Sequence, residues 1–136
     1  MLLNTQNNSK IKFKIINGLQ ISEITLGTAQ FGSKYGISNK TGRISDFESE
    51  KILNDAVKSG ITTFDTAPNY GTSQQVLGNY FTKSHFPRTV ITKIPKIETK
   101  SNNSKFEDVF YEVKAILKNS KKSLNDEIQI CLLHDP

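Results

Sequence analysis

The sequence is poor in cysteine and in long hydrophobic runs. Its 136 residues include one cysteine, Cys131, which excludes an internal disulfide, and we expect the cytoplasm as its compartment. No stretch approaches the roughly 18 consecutive apolar residues of a transmembrane helix. The first residues, MLLNTQNNSK, lack the apolar core of a signal peptide. We expect residues 1–10 to form a flexible N-terminus ahead of one domain.

Positive charge is in excess but is spread along the chain. The formal net charge is +5 and the pI is about 9.3, so nucleic acid has to be considered as a partner. The lysines do not cluster, and neither a helix-turn-helix pattern nor a zinc-ligand spacing accompanies them. We therefore expect a solvated basic surface with no nucleic-acid, membrane or metal partner.

Strand-like segments recur at intervals along residues 11–136. Residues 11–16, IKFKII, alternate polar and apolar side chains and lead through Asn17-Gly18 into LQIS, which predicts a β-hairpin. The later apolar segments lie at 24–28, 61–67, 89–94 and 128–134. A loop rich in glycine and polar residues, 31–43, is expected after the first of these four.

Helical patterns separate the four later strands. Each begins with a pair typical of a capping box, in which two side chains three residues apart satisfy each other's backbone N–H groups. An apolar stripe follows each pair, and the stripe over 106–117 is the clearest; Gly60 is placed to end the first helix. The pairs are Ser45 with Glu48, Thr72 with Gln75, and Ser104 with Glu107.

The order of elements predicts an α/β fold. A hairpin followed by βαβαβαβ indicates a parallel sheet with right-handed crossovers, either a doubly wound open sheet or a (β/α)₈ TIM barrel. A doubly wound nucleotide-binding sheet carries G-x-G-x-x-G after its first strand, and LGTAQFGSKYG lacks that spacing. This weakens the doubly wound alternative. The barrel is favoured, with this chain supplying a hairpin, about four strands and three helices.

Polar side chains stand at the carboxyl ends of three predicted strands. Asp65, Lys93 and His134 hold these positions, and Tyr70 lies in the loop after the strand of Asp65. Taken singly, each is an ordinary turn, surface or strand-end residue. Strand alternation, however, allows Asp65, Lys93 and His134 to face one place, at the strand ends that carry the chemistry in parallel α/β folds.

The four side chains suit proton donation to a carbonyl group. A phenol is a poor acid at neutral pH, and a nearby ammonium stabilises its phenolate. An aspartate would hold the ammonium in place, while a histidine can donate a hydrogen bond to a carbonyl oxygen. Such a site fits the reduction of an aldehyde or ketone by a hydride from a nicotinamide and a proton from tyrosine.

Five motifs together resemble the amino-terminal half of the aldo-keto reductase family: LGTAQFG, FDTAPNYG, SQQVLG, ITK and LLHDP. The resemblance implies a (β/α)₈ barrel that uses NADPH, or NADH, and acts on a small carbonyl substrate. It also implies a hairpin that closes the bottom of the barrel. The implied catalytic residues are Asp65, Tyr70, Lys93 and His134; Gly27, Thr28, Ala29 and Asp65 would lie near the nicotinamide ribose.

The sequence departs from the family at two points. Gln74 stands where members often carry a glutamate, and the sequence ends after the fourth strand, before four further βα units. We expect inward side chains such as Phe64, Ile91 and Leu132 to need a partner surface, with self-association as one outcome. We also expect little turnover from the chain alone. A non-catalytic homologue that acts as a binding or regulatory subunit is the alternative function.

Overall fold

A computed structural model describes residues 10–36, 42–97 and 105–134. The predicted flexible N-terminus therefore lies outside the described residues except for Lys10. The described elements are β1 (Phe13–Ile16), β2 (Leu19–Ser22), β3 (Thr25–Gly27), α1 (Ala29–Gly32), α2 (Asp46–Lys58), β4 (Thr63–Asp65), α3 (Ser73–Lys83), β5 (Thr89–Ile94), α4 (Phe106–Leu124) and β6 (Ile130–Leu133). Within the described ranges, none of the helices has the length and apolar character needed to span a bilayer.

The predicted hairpin is confirmed. Strands β1 and β2 pair antiparallel, and Asn17 (φ 50°) and Gly18 (φ 79°) both adopt the left-handed conformation of a tight two-residue turn. The hairpin lies against the amino ends of two sheet strands. The Ser22 amide donates to Thr63 Oγ1 at 2.9 Å, and Thr89 Oγ1 donates to the Gln20 carbonyl at 2.8 Å. The hairpin thus covers the amino-terminal ends of the strands, opposite to the carboxyl ends where Asp65 and Lys93 lie.

The four remaining strands form one parallel sheet in the order β3-β4-β5-β6. Strand order equals sequence order, so the described sheet has no reversal of the kind that marks a doubly wound fold. Helices α2, α3 and α4 connect successive strands. This is the arrangement of the first half of a (β/α)₈ barrel, and the predicted fold class is confirmed.

Two of the three capping predictions fall on described residues, and one of these two is confirmed. The Ser45–Glu48 capping box is present at α2. The Thr72–Gln75 box is wrong: Thr72 (φ −92°, ψ 10°) is not extended as a capping residue would be, and its side chain makes no cap bond. Ser104 lies outside the described residues; α4 begins after Lys105, whose amide donates to Asp108 Oδ2 at 3.1 Å.

One layer of the molecule has a closed apolar core, between the sheet and helices α2 and α3. Phe64 is fully buried there, with its ring 5.4 Å from that of Phe81 and 6.1 Å from that of Phe86. The expectation that Phe64 needs a partner surface is therefore wrong, because strand alternation turns it towards the helices. The other fully buried large apolar side chains are Leu53, Leu77, Val90 and Leu124.

The opposite face of the sheet, at its carboxyl end, and the first half of α4 are more exposed among the described residues. Leu132 is 46% exposed, and Ile91 is half-buried on the same face, as expected for inward residues of an open half-barrel. On the outer side, Leu133 is 72% exposed and Phe106 is 82% exposed. The stripe of α4 is thus helical as predicted, but its first half does not pack against the described core.

Candidate active site

The sheet brings the predicted strand-end residues to one face. Asp65 of β4 pairs in register with Ile91 of β5, and Lys93 pairs with Leu132 of β6. Because side chains alternate along a strand, Asp65, Lys93 and the residue two beyond Leu132, His134, share a face. The His134 amide extends the ladder by donating to the Ile94 carbonyl at 2.9 Å.

Asp65 and Lys93 form an ion pair. Lys93 Nζ donates to Asp65 Oδ1 and Oδ2, both at 2.7 Å, and to the Thr66 carbonyl at 3.2 Å. The two side chains are 26% and 12% exposed, respectively. An ammonium has three protons, so these three acceptors use its whole donating capacity and fix its position.

Tyr70 lies between the Lys93 ammonium and the His134 ring. Lys93 Nζ is 4.9 Å from the centre of the Tyr70 ring, and the Tyr70 and His134 rings meet edge to face at 5.7 Å. Since the protons of Lys93 are engaged elsewhere, its influence on Tyr70 comes from its charge over the ring. The structure thus places the four predicted residues within one continuous cluster.

Two glycines set the backbone that carries Tyr70. A side chain at Gly32, which ends α1, would collide with the Tyr70 carbonyl; one at Gly71 would collide with the Gly32 carbonyl. Gly71 also has φ +58°, a conformation that disfavours other residues. The sequence does not indicate helix α1, because a single turn has no apolar period; its last two residues fall in the predicted loop 31–43.

A network of buried hydroxyls connects three segments below the site. Thr28 Oγ1 donates to the Asp65 carbonyl at 2.9 Å, and it lies 2.6 Å from Ser73 Oγ. Ser73 Oγ in turn lies 3.1 Å from Thr66 Oγ1. Sequence reasoning did not find Ser73 or Thr66, since single hydroxyl residues at the start of a helix or just after a strand have no distinguishing period. The network fixes the end of β3, the end of β4 and the start of α3 relative to one another.

Gln74 stands where family members often carry a glutamate, and its contacts show how the fold accommodates an amide there. Its side chain is buried, and Nε2 donates to Thr92 Oγ1 at 3.0 Å and to Ser120 Oγ at 3.1 Å. The amide therefore connects α3 to β5 and α4. A carboxylate cannot donate either bond, so the hydroxyls would have to turn towards it.

An open cleft of about 400 Å³ lies beside Asp65 and Tyr70. The residues expected near a nicotinamide ribose all line it, namely Gly27, Thr28 and Ala29 together with Asp65. A Cβ at Gly27 would meet nothing within 4 Å, so the cleft wall is open there. The Thr28 hydroxyl is already engaged within the protein. Backbone groups, apolar surface and the polar side chains of Gln30, Tyr35, Asp65 and Tyr70 also line the space that a ligand would enter. This lining fits the nicotinamide end of a coenzyme.

Titratable ligands for a metal do not converge in the described ranges. Among those residues, no group of three or more histidine, cysteine, aspartate or glutamate side chains is placed to hold an ion. The sequence-based expectation of a site without metal stays a prediction.

Comparison with known proteins identifies the family of the chain. The sequence model of the Aldo/keto reductase family matches residues 23–136. The chain belongs to this family. Comparison with functionally curated proteins gave no match.

Solved structures extend the family assignment to the fold. A putative aldo-keto reductase from Pseudomonas aeruginosa is 25% identical and superposes with a TM-score of 0.74, over 97% of this chain and 51% of that one. A second structure from that organism is 28% identical, with a TM-score of 0.66 over 87% and 43% of the two chains. The glycerol dehydrogenase of Gluconobacter oxydans, at 24% identity and a TM-score of 0.65, covers 96% and 40% and shows the same fold. This aldo-keto reductase chain spans about half the length of these relatives.

Proposed function

We propose that the chain contributes the catalytic side chains of a nicotinamide-dependent reductase that converts a small aldehyde or ketone to an alcohol. The cluster of Asp65, Lys93, Tyr70 and His134 beside an open cleft carries this proposal. A phenol, an ammonium held by a carboxylate and an imidazole supply what proton transfer to a carbonyl oxygen requires.

Each side chain has a separate role in the proposed reaction. Tyr70 gives its proton to the substrate oxygen as the carbonyl carbon receives a hydride. The Lys93 charge stabilises the phenolate that Tyr70 becomes, and Asp65 holds Lys93 in place through two 2.7 Å hydrogen bonds. His134 donates a hydrogen bond to the same oxygen, which orients the substrate and stabilises the charge that develops there.

A coenzyme would bind in the cleft along Gly27, Thr28, Ala29 and Asp65. NADPH, with NADH as the alternative, would supply the hydride when bound. The cleft would receive the nicotinamide end, and no lysine is among the described residues that line it. We therefore expect weak coenzyme binding and little turnover from the 136-residue chain alone.

The test uses a completed barrel, in which residues 1–136 are joined to the second half of the Pseudomonas aeruginosa structure that is 25% identical. We expect this protein to oxidise NADPH in the presence of an aldehyde. Tyr70→Phe should lower the rate by about 10²- to 10⁴-fold, as expected for the loss of a general acid. Its coenzyme dissociation constant should change little, because the substitution removes one hydroxyl and keeps the ring that lines the cleft.

Tyr111→Phe is the matched control. Tyr111 lies on α4, is 66% exposed and is remote in the fold from the cleft. The same loss of a hydroxyl there should leave the rate within about twofold of the parent. Near-normal turnover by Tyr70→Phe would refute the assignment. Coenzyme binding without any aldehyde-dependent oxidation would instead favour a binding or regulatory role.

A further inference from the structure

Asn69 makes a hydrogen bond to the site histidine. Its amide nitrogen Nδ2 lies 3.0 Å from His134 Nδ1. A side-chain NH₂ group donates and does not accept, so Nδ1 is the acceptor in this pair. A neutral imidazole has one N–H, which then belongs to Nε2. Among the described residues, no protein hydrogen bond occupies Nε2.

The segment that carries Asn69 is held in place by its neighbours. The Tyr70 amide donates to the Ala67 carbonyl at 3.1 Å, and the Ser73 amide donates to the Tyr70 carbonyl at 3.1 Å. The Tyr70 ring packs edge to face against the His134 ring. One short loop thus positions the phenol and the Asn69 amide against the same imidazole.

We propose that Asn69 is a positioning residue that fixes His134 as the Nε2–H tautomer, so that Nε2–H is the donor offered to the substrate oxygen. The proposal rests on the proposed function for its consequence, but not for the tautomer itself. With Nδ1 protonated instead, Nε2 would present a lone pair to the carbonyl oxygen and would repel it. Asn69 therefore decides whether His134 can act as a donor.

Nitrogen NMR of the histidine rings tests the tautomer directly. The chain has two histidines, so a sample labelled with ¹⁵N-histidine gives two ring systems, and His85→Gln assigns them. Above the pH range in which imidazoles are protonated, His134 should show a pyrrole-like Nε2 and a pyridine-like Nδ1, while the exposed His85 should show averaged tautomers. A His134 spectrum that matches that of His85 would overturn the proposal.

Substitution of Asn69 should reverse the assignment. In Asn69→Asp the carboxylate can only accept, so Nδ1 should become the protonated nitrogen of His134. Asn79→Asp makes the same change at an exposed position of α3 and should leave both spectra unchanged. An unaltered His134 tautomer in Asn69→Asp would also contradict the proposal.

Kinetics of the completed barrel separate this inference from the proposed function. Asn69→Asp and Asn69→Ala should lower kcat/KM for the aldehyde by about five- to tenfold, the effect of one lost hydrogen bond, with an unchanged coenzyme dissociation constant. If the parent barrel has no activity while the tautomer follows Asn69, the proposed function fails and the positioning role stands. If the barrel is active and both variants retain the parent kcat/KM, the positioning role fails.

Discussion

The two faces of the parallel sheet differ in how completely they are covered. Towards α2 and α3, Phe64 is fully buried among aromatic rings, whereas on the opposite face Leu132 is 46% exposed. The outer layer of a (β/α)₈ barrel is assembled between adjacent units, so three βα units and a fourth strand suffice to form much of it. The inner layer is filled from strands all around the barrel. A half-barrel therefore has a packed exterior core and a more exposed interior face, and the cluster of Asp65, Lys93, Tyr70 and His134 lies on that interior face.

The largest effect should come from truncating the covered face. Phe64→Ala in the 136-residue chain should lower the free energy of unfolding by about 3–5 kcal/mol, because it removes a fully buried ring from the core. Leu132→Ala should change it by less than about 1 kcal/mol, since much of that side chain already meets water. Chemical denaturation followed by circular dichroism measures both.

The completed barrel sharpens this test. There Leu132 gains neighbours from the second half, so Leu132→Ala should cost about 2–4 kcal/mol, while the cost of Phe64→Ala should stay the same. A cost of about 2–4 kcal/mol for Leu132→Ala already in the half-barrel would show that the interior face is covered in the 136-residue chain.

Loss of a mostly buried ion pair should lower the free energy of unfolding by less than Phe64→Ala does, but by more than loss of an exposed ion pair. Arg88 Nε is 2.5 Å from Asp126 Oδ2, both side chains are 17% exposed, and the guanidinium lies 4.4 Å from the centre of the Phe81 ring. Arg88→Ala should cost about 2 kcal/mol, because it leaves the Asp126 carboxylate partly buried and unpaired.

Lys121 provides the matched control for Arg88. Its pair with Glu127 is also 2.5 Å long, but the side chains are 47% and 72% exposed. Lys121→Ala should change the free energy of unfolding by less than about 0.5 kcal/mol. Thermal denaturation of both variants measures the difference, and similar losses would mean that burial does not set the strength of these pairs.

Local pattern and chemistry predicted much of the fold. The hairpin followed from Asn17-Gly18, since few residue pairs tolerate two successive left-handed conformations. The strand-end positions of Asp65 and Lys93 followed from the two-residue alternation of strands. The Thr72 capping box failed because tertiary contact overrode the motif: the Thr72 amide lies against the Gly32 carbonyl of α1, a helix that the sequence did not indicate.

Other features of the site depend on contacts between distant segments. Burial of Phe64 required knowing which sheet face the helices cover, and period alone does not distinguish the two faces. The Asn69–His134 hydrogen bond and the Ser73 network join residues from different βα units. An exposed asparagine beside Tyr70 looks like any loop residue until the fold brings His134 next to it.

The exposed interior face should drive self-association of the chain. A single substitution there should change the free energy of association by less than Phe64→Ala and Arg88→Ala change the free energy of unfolding. In sedimentation at high concentration, we expect an apparent mass above the 15.3 kDa of the monomer. On dilution, this apparent mass should fall towards the monomer value. Leu132→Glu should raise the dissociation constant by about tenfold, because a charge would have to be desolvated where an apolar side chain is buried. Gln75→Glu adds the same charge at an exposed position of α3 and should leave it unchanged. A monomer at every concentration would show that the interior face does not drive association.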